Sequence, residues 1–437
     1  MKTKSILLIL LLCLFMGLSI FPAFAEDSAT VNDTVYGINK QQTTQSATVS
    51  PTQKKYTITP NTSPCSKKIR KYSTYNKYTK NYYTLISYMM FFEKNRGGTL
   101  VLKKGTYTIS NTVPIPSNVN LILEDGVVIN KGTKTGTRKF KASSTIFQLV
   151  HPSKLKKSRA YSKYNGVRNV KIIGKGTSTI NLRYLKNNIA IVCGHNQNIL
   201  LQGITFKNLN SGHFIELDAT NGMKISNCKF ISSKPSSMLT AEAINLDTPD
   251  KNTKGFNNVW SSYDKTPNNA ITIENNVFNG LDRAIGTHKY SQRTTNGRYV
   301  TNKGQVYHMR IIIRNNIITN TRSDSIRVMN WKNSEITNNY ISYVTRNSKQ
   351  YRAILASGAI NLKIKFNYFK NMNRPIQILS SKNSGYGSIY SVTYNSLTSY
   401  NYQDMKYNLC FNVGENFARI SNKYQDYSNQ IWLNLLT

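Results

Sequence analysis

The middle of this chain is a degenerate repeat, and that repeat limits the fold more than any other feature. ILLQGITF from Ile199, MKISNCKF from Met223, ITIENNVF from Ile271, IIIRNNII from Ile311, SEITNNYI from Ser334 and LKIKFNYF from Leu362 align without gaps. The alignment stacks Leu201, Ile225, Ile273, Ile313, Ile336 and Ile364 in one column. Phe206, Phe230, Phe278, Ile318, Ile341 and Phe369 form a second, with Ile204, Cys228, Asn276, Asn316, Asn339 and Asn367 between them. One such unit cannot bury its apolar face alone, whereas stacked copies share a continuous core. Uninterrupted copies lie 23 to 28 residues apart, enough for one coil of three short strands. The expected fold is therefore all-β, a single-stranded right-handed parallel β-helix. A β-sandwich would not stack residues at a fixed period. The asparagine column predicts a ladder at a tight turn, because the amide both donates and accepts and asparagine tolerates left-handed backbone angles.

Each repeat carries an earlier strand aligned on Ile191, Ile215, Ile244, Ile285, Ile326 and Ile354. With these isoleucines inward, side chains one and three places later point outward. The outward columns are Glu216, Asn245, Gly286, Arg327 and Asp218, Asp247, His288, Met329. Just before the strand lies a third column, His213, Glu242, Arg283 and Asp324. Two repeats are stretched at the same point of the coil, over 248–269 and 289–307, and insertions on one face of a solenoid often frame a binding surface.

The flanks give the domain layout. Lys2 and Lys4, an apolar run from Ile6 to Phe21 and Pro22-Ala23-Phe24-Ala25 read as an export signal over 1–25. Residues 26–65 are rich in Thr, Ser and Gln and predict a disordered leader. The β-helix domain is expected over 66–437, with a cap at 66–96 and a second from about 400. In the first cap, Tyr82, Leu85, Ile86, Met89, Met90 and Phe92 recur at helical spacing up to Gly97-Gly98. A helix followed by GGTLVLKKGTY and then IPSNVNL resembles the start of the pectin-lyase-like superfamily. That resemblance implies a parallel β-helix with a helix capping its open end, and carbohydrate-active chemistry. The polygalacturonase motifs and the RxPxxR segment of pectate lyases are missing, which puts pectin itself in doubt.

The outward columns gather most mid-chain carboxylates, two of five histidines and two arginines. Adjacent coils should sit ~4.8 Å apart. Asp218 and Asp247 could then form an acid and base at a separation of about 5 Å, as in retaining glycosidases, or share a Ca²⁺ ion. His288 is the natural proton shuttle, with Glu216 and Glu242 in support. Arg283, Arg327 or His213 could hold a substrate carboxylate, and Trp260 and Arg293 of the insertions could contact sugar. The bland alternative is a ladder of charges satisfying one another, Glu242 with Arg283 and Arg283 with Asp324. His151, His195 and His308 have no clustered partners and read as structural.

The formal charge of +39, from 58 basic and 19 acidic residues, favours an acidic polysaccharide or cell-wall polymer as partner. Export makes nucleic acid a poor candidate. No second apolar stretch follows the signal, so no membrane span is expected after its cleavage, and the mature chain should be a secreted or cell-surface monomer. The expected function is cleavage of a uronate-containing polysaccharide by lyase or glycoside-hydrolase chemistry. The alternative is a non-catalytic adhesin or glycan-binding protein.

Overall fold

The structure is a computed structural model that describes residues 54–292, 304–345, 350–380, 393, 395–421 and 429–436. These fall within one compact unit, Thr52–Thr437. The expected signal and most of the expected leader lie outside the described residues.

The chain winds as a parallel β-helix. Three sheets of ten, eleven and eleven strands run along it among the described residues. Each coil contributes one strand to each sheet, as in Asn269–Glu274, Val277–Asn279 and Arg283–Gly286. We call the sheets containing these strands the first, third and second, respectively. All three aligned columns of the repeat are true register columns. Ile225 pairs with Ile273 and Ile273 with Ile313 in the first sheet. In the third, Phe206 pairs with Phe230 and Phe230 with Phe278, their rings stacked 5.0 and 4.7 Å apart. The isoleucines of the second sheet follow suit from Ile191 to Ile354. These side chains are fully or almost fully buried and form one cluster along the unit.

Asn276, Asn316, Asn339, Asn367 and Asn408 form the expected ladder. The Asn316 amide nitrogen donates to Ile273 O at 2.9 Å and to Asn339 Oδ1 at 2.9 Å, while its own oxygen accepts from Asn276. The left-handed backbone lies elsewhere. It belongs to the residue before Asn276, Asn316, Asn339 and Asn367, namely Asn275, Asn315, Asn338 and Phe366, and likewise to Asn227 before Cys228, with φ of 55–58°. Each repeat thus uses one residue for the bend and the next for the buried amide.

Three expectations are corrected. The strand Lys55–Ile58 pairs with Gly98–Leu102, so ordered structure begins inside the supposed leader. The capping helix Lys80–Lys94 buries Tyr82, Leu85, Met89 and Phe92 but leaves Met90 48 % exposed. Gly98 then admits the Phe92 ring, since a Cβ there would come within 2.4 Å of it. At the other end the coil continues past residue 400. Leu409–Val413 and Phe417–Ile420 extend the third and second sheets in parallel, and only Asn429–Trp432 turns antiparallel. Of the cysteines, Cys65 is exposed, while Cys193, Cys228 and Cys410 are buried, and all four are free thiols. No described helix is long and apolar enough to cross a membrane.

Candidate functional site

The second sheet places the candidate residues side by side. Glu216 pairs with Asn245 and Asp218 with Asp247, on the strands Ile215–Asp218 and Glu242–Asp247. Asn245 pairs in turn with Gly286, and Gly286 with Arg327. Inward isoleucines force this outward placement, because a one-residue slip would reverse both faces. Gly286 leaves room for its neighbours: a Cβ there would lie 3.0 Å from both Glu242 and Arg327. His288 follows the strand, with Nε2 3.3 Å from Asp247 Oδ2.

The expectation that fails is solvent exposure. Asp218 and Asp247 are 0 % and 1 % exposed, and Glu216 and Glu242 are also buried. The cover is the 248–268 insertion, which folds back over the preceding coils. A Cβ on Gly255 would lie 3.1 Å from Asp247 Oδ2, so the insertion's backbone closes directly on that carboxylate. Trp260, expected to be exposed, is 1 % exposed and packs with Val150, Tyr161, Val192 and Phe256. Its indole N–H donates to Gln148 Oε1 at 3.0 Å. Trp260 therefore anchors the insertion and cannot stack on a sugar. Arg293 lies outside the described residues.

Hydrogen bonds link the cluster. The Asn245 amide donates to Glu216 Oε1 at 3.0 Å, and its oxygen lies 3.1 Å from His288 Nδ1. That contact requires the proton on Nδ1, which aims Nε2 at Asp247. His288 Nε2 is the side-chain group aimed at Asp247, and the carboxyl of Glu216 is the hydrogen-bonding neighbour of Asp218. The sequence missed Asn245, although it stood in the same outward column as Glu216. Gln148 and Asn258, which bond to each other at 3.0 Å, lie outside the repeat and gave no signal.

Electrostatics divide the carboxyls. Burial, followed by the charge of Asp247, pushes Glu216 well above the usual range. Burial, followed by Glu216 and Asp247, does the same to Asp218. Asp247 is raised by burial against the opposing pull of His288. Burial also acts on Glu242, but Arg283, His288 and His213 outweigh it and bring that carboxyl down to about 2. His213 is lowered to about 4 by burial, partly offset by Glu242. The cluster thus holds carboxyls pushed upward beside one pulled downward, the separation acid–base chemistry needs.

The arginines are committed elsewhere. Arg283 Nη1 lies 2.5 Å from Glu242 and Nη2 3.8 Å from Asp324, which Arg352 also contacts at 3.0 Å. This is the self-satisfying charge ladder, so Arg283 is not free to clamp a substrate. Arg327 donates to Ser357 at 3.2 Å, and burial lowers its pKa to about 10. His195 and His308 are structural, held by Ser261 and by the Asn268 N–H.

His213 and His288 stand between two openings, their rings stacked 6.0 Å apart. The larger is a groove of about 760 Å³ lined by Ser143, Gln148, Asn258, Glu216 and both histidines, among others. The smaller, about 250 Å³, reaches Glu242 and Arg283. His213, Glu242 and His288 bring potential metal-binding atoms within 4.8 Å of one another. Nδ1 of each histidine already donates, to Glu242 O and Asn245 Oδ1, so a metal would have to take Nε2 or displace those bonds. The Asp218 and Asp247 pair offers four carboxylate oxygens, fewer than the six to eight Ca²⁺ takes.

No protein-family model matches the chain. Plasmin and fibronectin-binding protein A of Streptococcus pneumoniae is 24% identical over 220 residues, which cover 46% of this chain and 30% of that protein. The match therefore spans less than a third of the relative's length. Among solved structures, PfbA, a surface adhesin of Streptococcus pneumoniae, superposes with a TM-score of 0.54 at 16% identity, covering 80% of this chain and 83% of that one. A second structure of the same adhesin gives 0.53 at 15%, covering 82% and 90%. Together with the three stacked sheets, these likenesses fix the fold: the chain is a parallel β-helix of the kind found in a streptococcal surface adhesin.

Proposed function

We propose that the chain is a secreted or cell-surface adhesin whose groove over the second sheet holds an acidic glycan without cleaving it. The observation that carries this reading is the lining of the 760 Å³ groove. Hydroxyl and amide side chains (Thr112, Ser143, Thr145, Gln148, Asn257 and Asn258) suit the many hydroxyls of a sugar chain. Asp218 and Asp247 lie sealed beneath the insertion, so a bound chain would meet Glu216, His213 and His288 but neither aspartate. The likeness to a surface adhesin supports the same reading, and the charge of +39 favours an acidic ligand. The pectin-lyase-like resemblance of the sequence supports carbohydrate handling without requiring turnover.

One observation favours catalysis instead. Glu216 edges the groove and burial raises its carboxyl well above the usual range, the direction a general acid requires. The experiment is a screen of uronate polysaccharides in which binding, absorbance of unsaturated products and release of reducing ends are all recorded. Binding without either product signal is expected. Reducing ends that vanish in Glu216→Gln would replace the adhesin with a hydrolase. Unsaturated products would replace it with a lyase.

A further inference from the structure

The outer face of the third sheet carries a second surface, separate from the groove. In four coils the left-handed bend falls on an asparagine: Asn227, Asn275, Asn315 and Asn338. The next coil puts Phe366 there, with φ of 58° and the side chain 51 % exposed. A bulky residue is a poor choice at that angle, because its Cβ crowds the following carbonyl. Exposure removes the burial that would offset the cost. Backbone strain of this sort is often retained at functional positions.

Other rings and apolar side chains gather around it. Tyr407 of the following coil lies 5.7 Å from the Phe366 ring. Tyr340 and Tyr368, register partners, lie 5.5 Å apart. Leu409 extends the Tyr368 column and Phe411 pairs with Lys370. Tyr407, Leu409 and Phe411 are all exposed. Lysines are interleaved: Lys365 Nζ lies 5.0 Å from the Phe366 ring and Lys370 Nζ 5.3 Å from that of Phe411. Lys406 is exposed beside Tyr407, and the neighbouring Asp404 is held by Lys365 at 3.5 Å.

We propose that this face is a second binding site, for an anionic polysaccharide. Sugar rings would stack on Phe366, Tyr368 and Tyr407, and the glycan's carboxylates would pair with Lys370 and Lys406. Ring steps repeat with the coil rise of ~4.8 Å, giving a linear polymer successive stacking positions. The positive charge selects an anionic chain over a neutral one. It also opposes a second copy of the protein, since a symmetric contact would set one basic face against another. The inference stands independently of the groove.

Titration calorimetry of the full chain with polygalacturonate, and with neutral dextran in parallel, tests it. Phe366→Asn restores the residue used by the preceding coils, and Tyr368→Thr keeps a strand-forming side chain, so both are expected to melt no lower than wild type, Phe366→Asn slightly higher as the strained angle is relieved. Each should weaken polygalacturonate binding about tenfold, the scale of one lost stacking partner. Asn258→Ala, in the groove, should leave this second component of binding intact. Unchanged affinity in both third-sheet variants overturns the proposal, as does equal binding of dextran or no binding of polygalacturonate by the wild type. Self-association that Phe366→Asn abolishes would assign the face to a second copy and overturn it equally.

Discussion

Asp218 occupies a position where a carboxylate is costly. It is fully buried beside the carboxyls of Glu216 and Asp247, and its side-chain hydrogen bond is to the first of these. The folded state keeps it, and Glu216, protonated at pH values where the unfolded chain has released those protons. Stability from these groups is thus fully present below a pH of about 4 and lost as pH rises through the raised folded values. Glu242, held at about 2, acts in the opposite sense, its contribution being lost only as pH falls through that value. His213 favours folding as pH rises from about 4 toward 6.5, but equally in wild type and in a variant at Asp218, so it cancels in the comparison. Asp218→Asn should therefore match the wild-type melting temperature near pH 4 and exceed it increasingly toward pH 8. A wild type that remains the more stable at pH 8 would mean that the negative charge is present and compensated.

At the scale of the turn, stability and shape come from two adjacent residues with separate tasks. Asn316 joins three coils through its amide, bonding to Asn276, Asn339 and Ile273. Asn316→Ala leaves buried donors and acceptors on both sides without partners, a loss of roughly 1–3 kcal/mol. Chemical denaturation of the two proteins side by side measures it, and equal midpoints would remove the ladder from the account of stability. The insertion 248–268 works differently. It is held from the far side by Trp260 against the 148–195 coils and by the Tyr161–Ser261 bridge. Those contacts convert an outward-facing row of carboxyls into a buried one.

Across the whole molecule the charge is unevenly distributed. Of the 19 acidic residues, Glu216, Asp218, Glu242, Asp247, Asp282 and Asp324 are buried along the second sheet or in its approaches. The lysines and arginines elsewhere create a positive field toward solvent. Binding of an acidic polysaccharide should weaken steeply between about 0.05 and 0.5 M salt, as the screening length contracts to a few Å. A dissociation constant independent of salt over that range would make the +39 irrelevant to recognition.

The repeat was legible from the sequence because stacking identical faces every coil imposes a period, and a period survives substitution of one apolar residue by another. It gave the parallel β-helix, the register of all three columns and the neighbourhood of Asp218, Asp247 and His288. It could not give the path of an insertion, which obeys no period. Trp260 read as exposed because it belongs to an insertion, yet it packs on Val192, whose coil lies 68 positions earlier in the chain. The same folding-back decides that Asp218 and Asp247 are sealed while Glu216 still borders the groove. Whether a carboxyl meets solvent or a neighbour depends on contacts between segments remote in sequence, so the residues of the site were determined locally and their chemistry only by the tertiary structure.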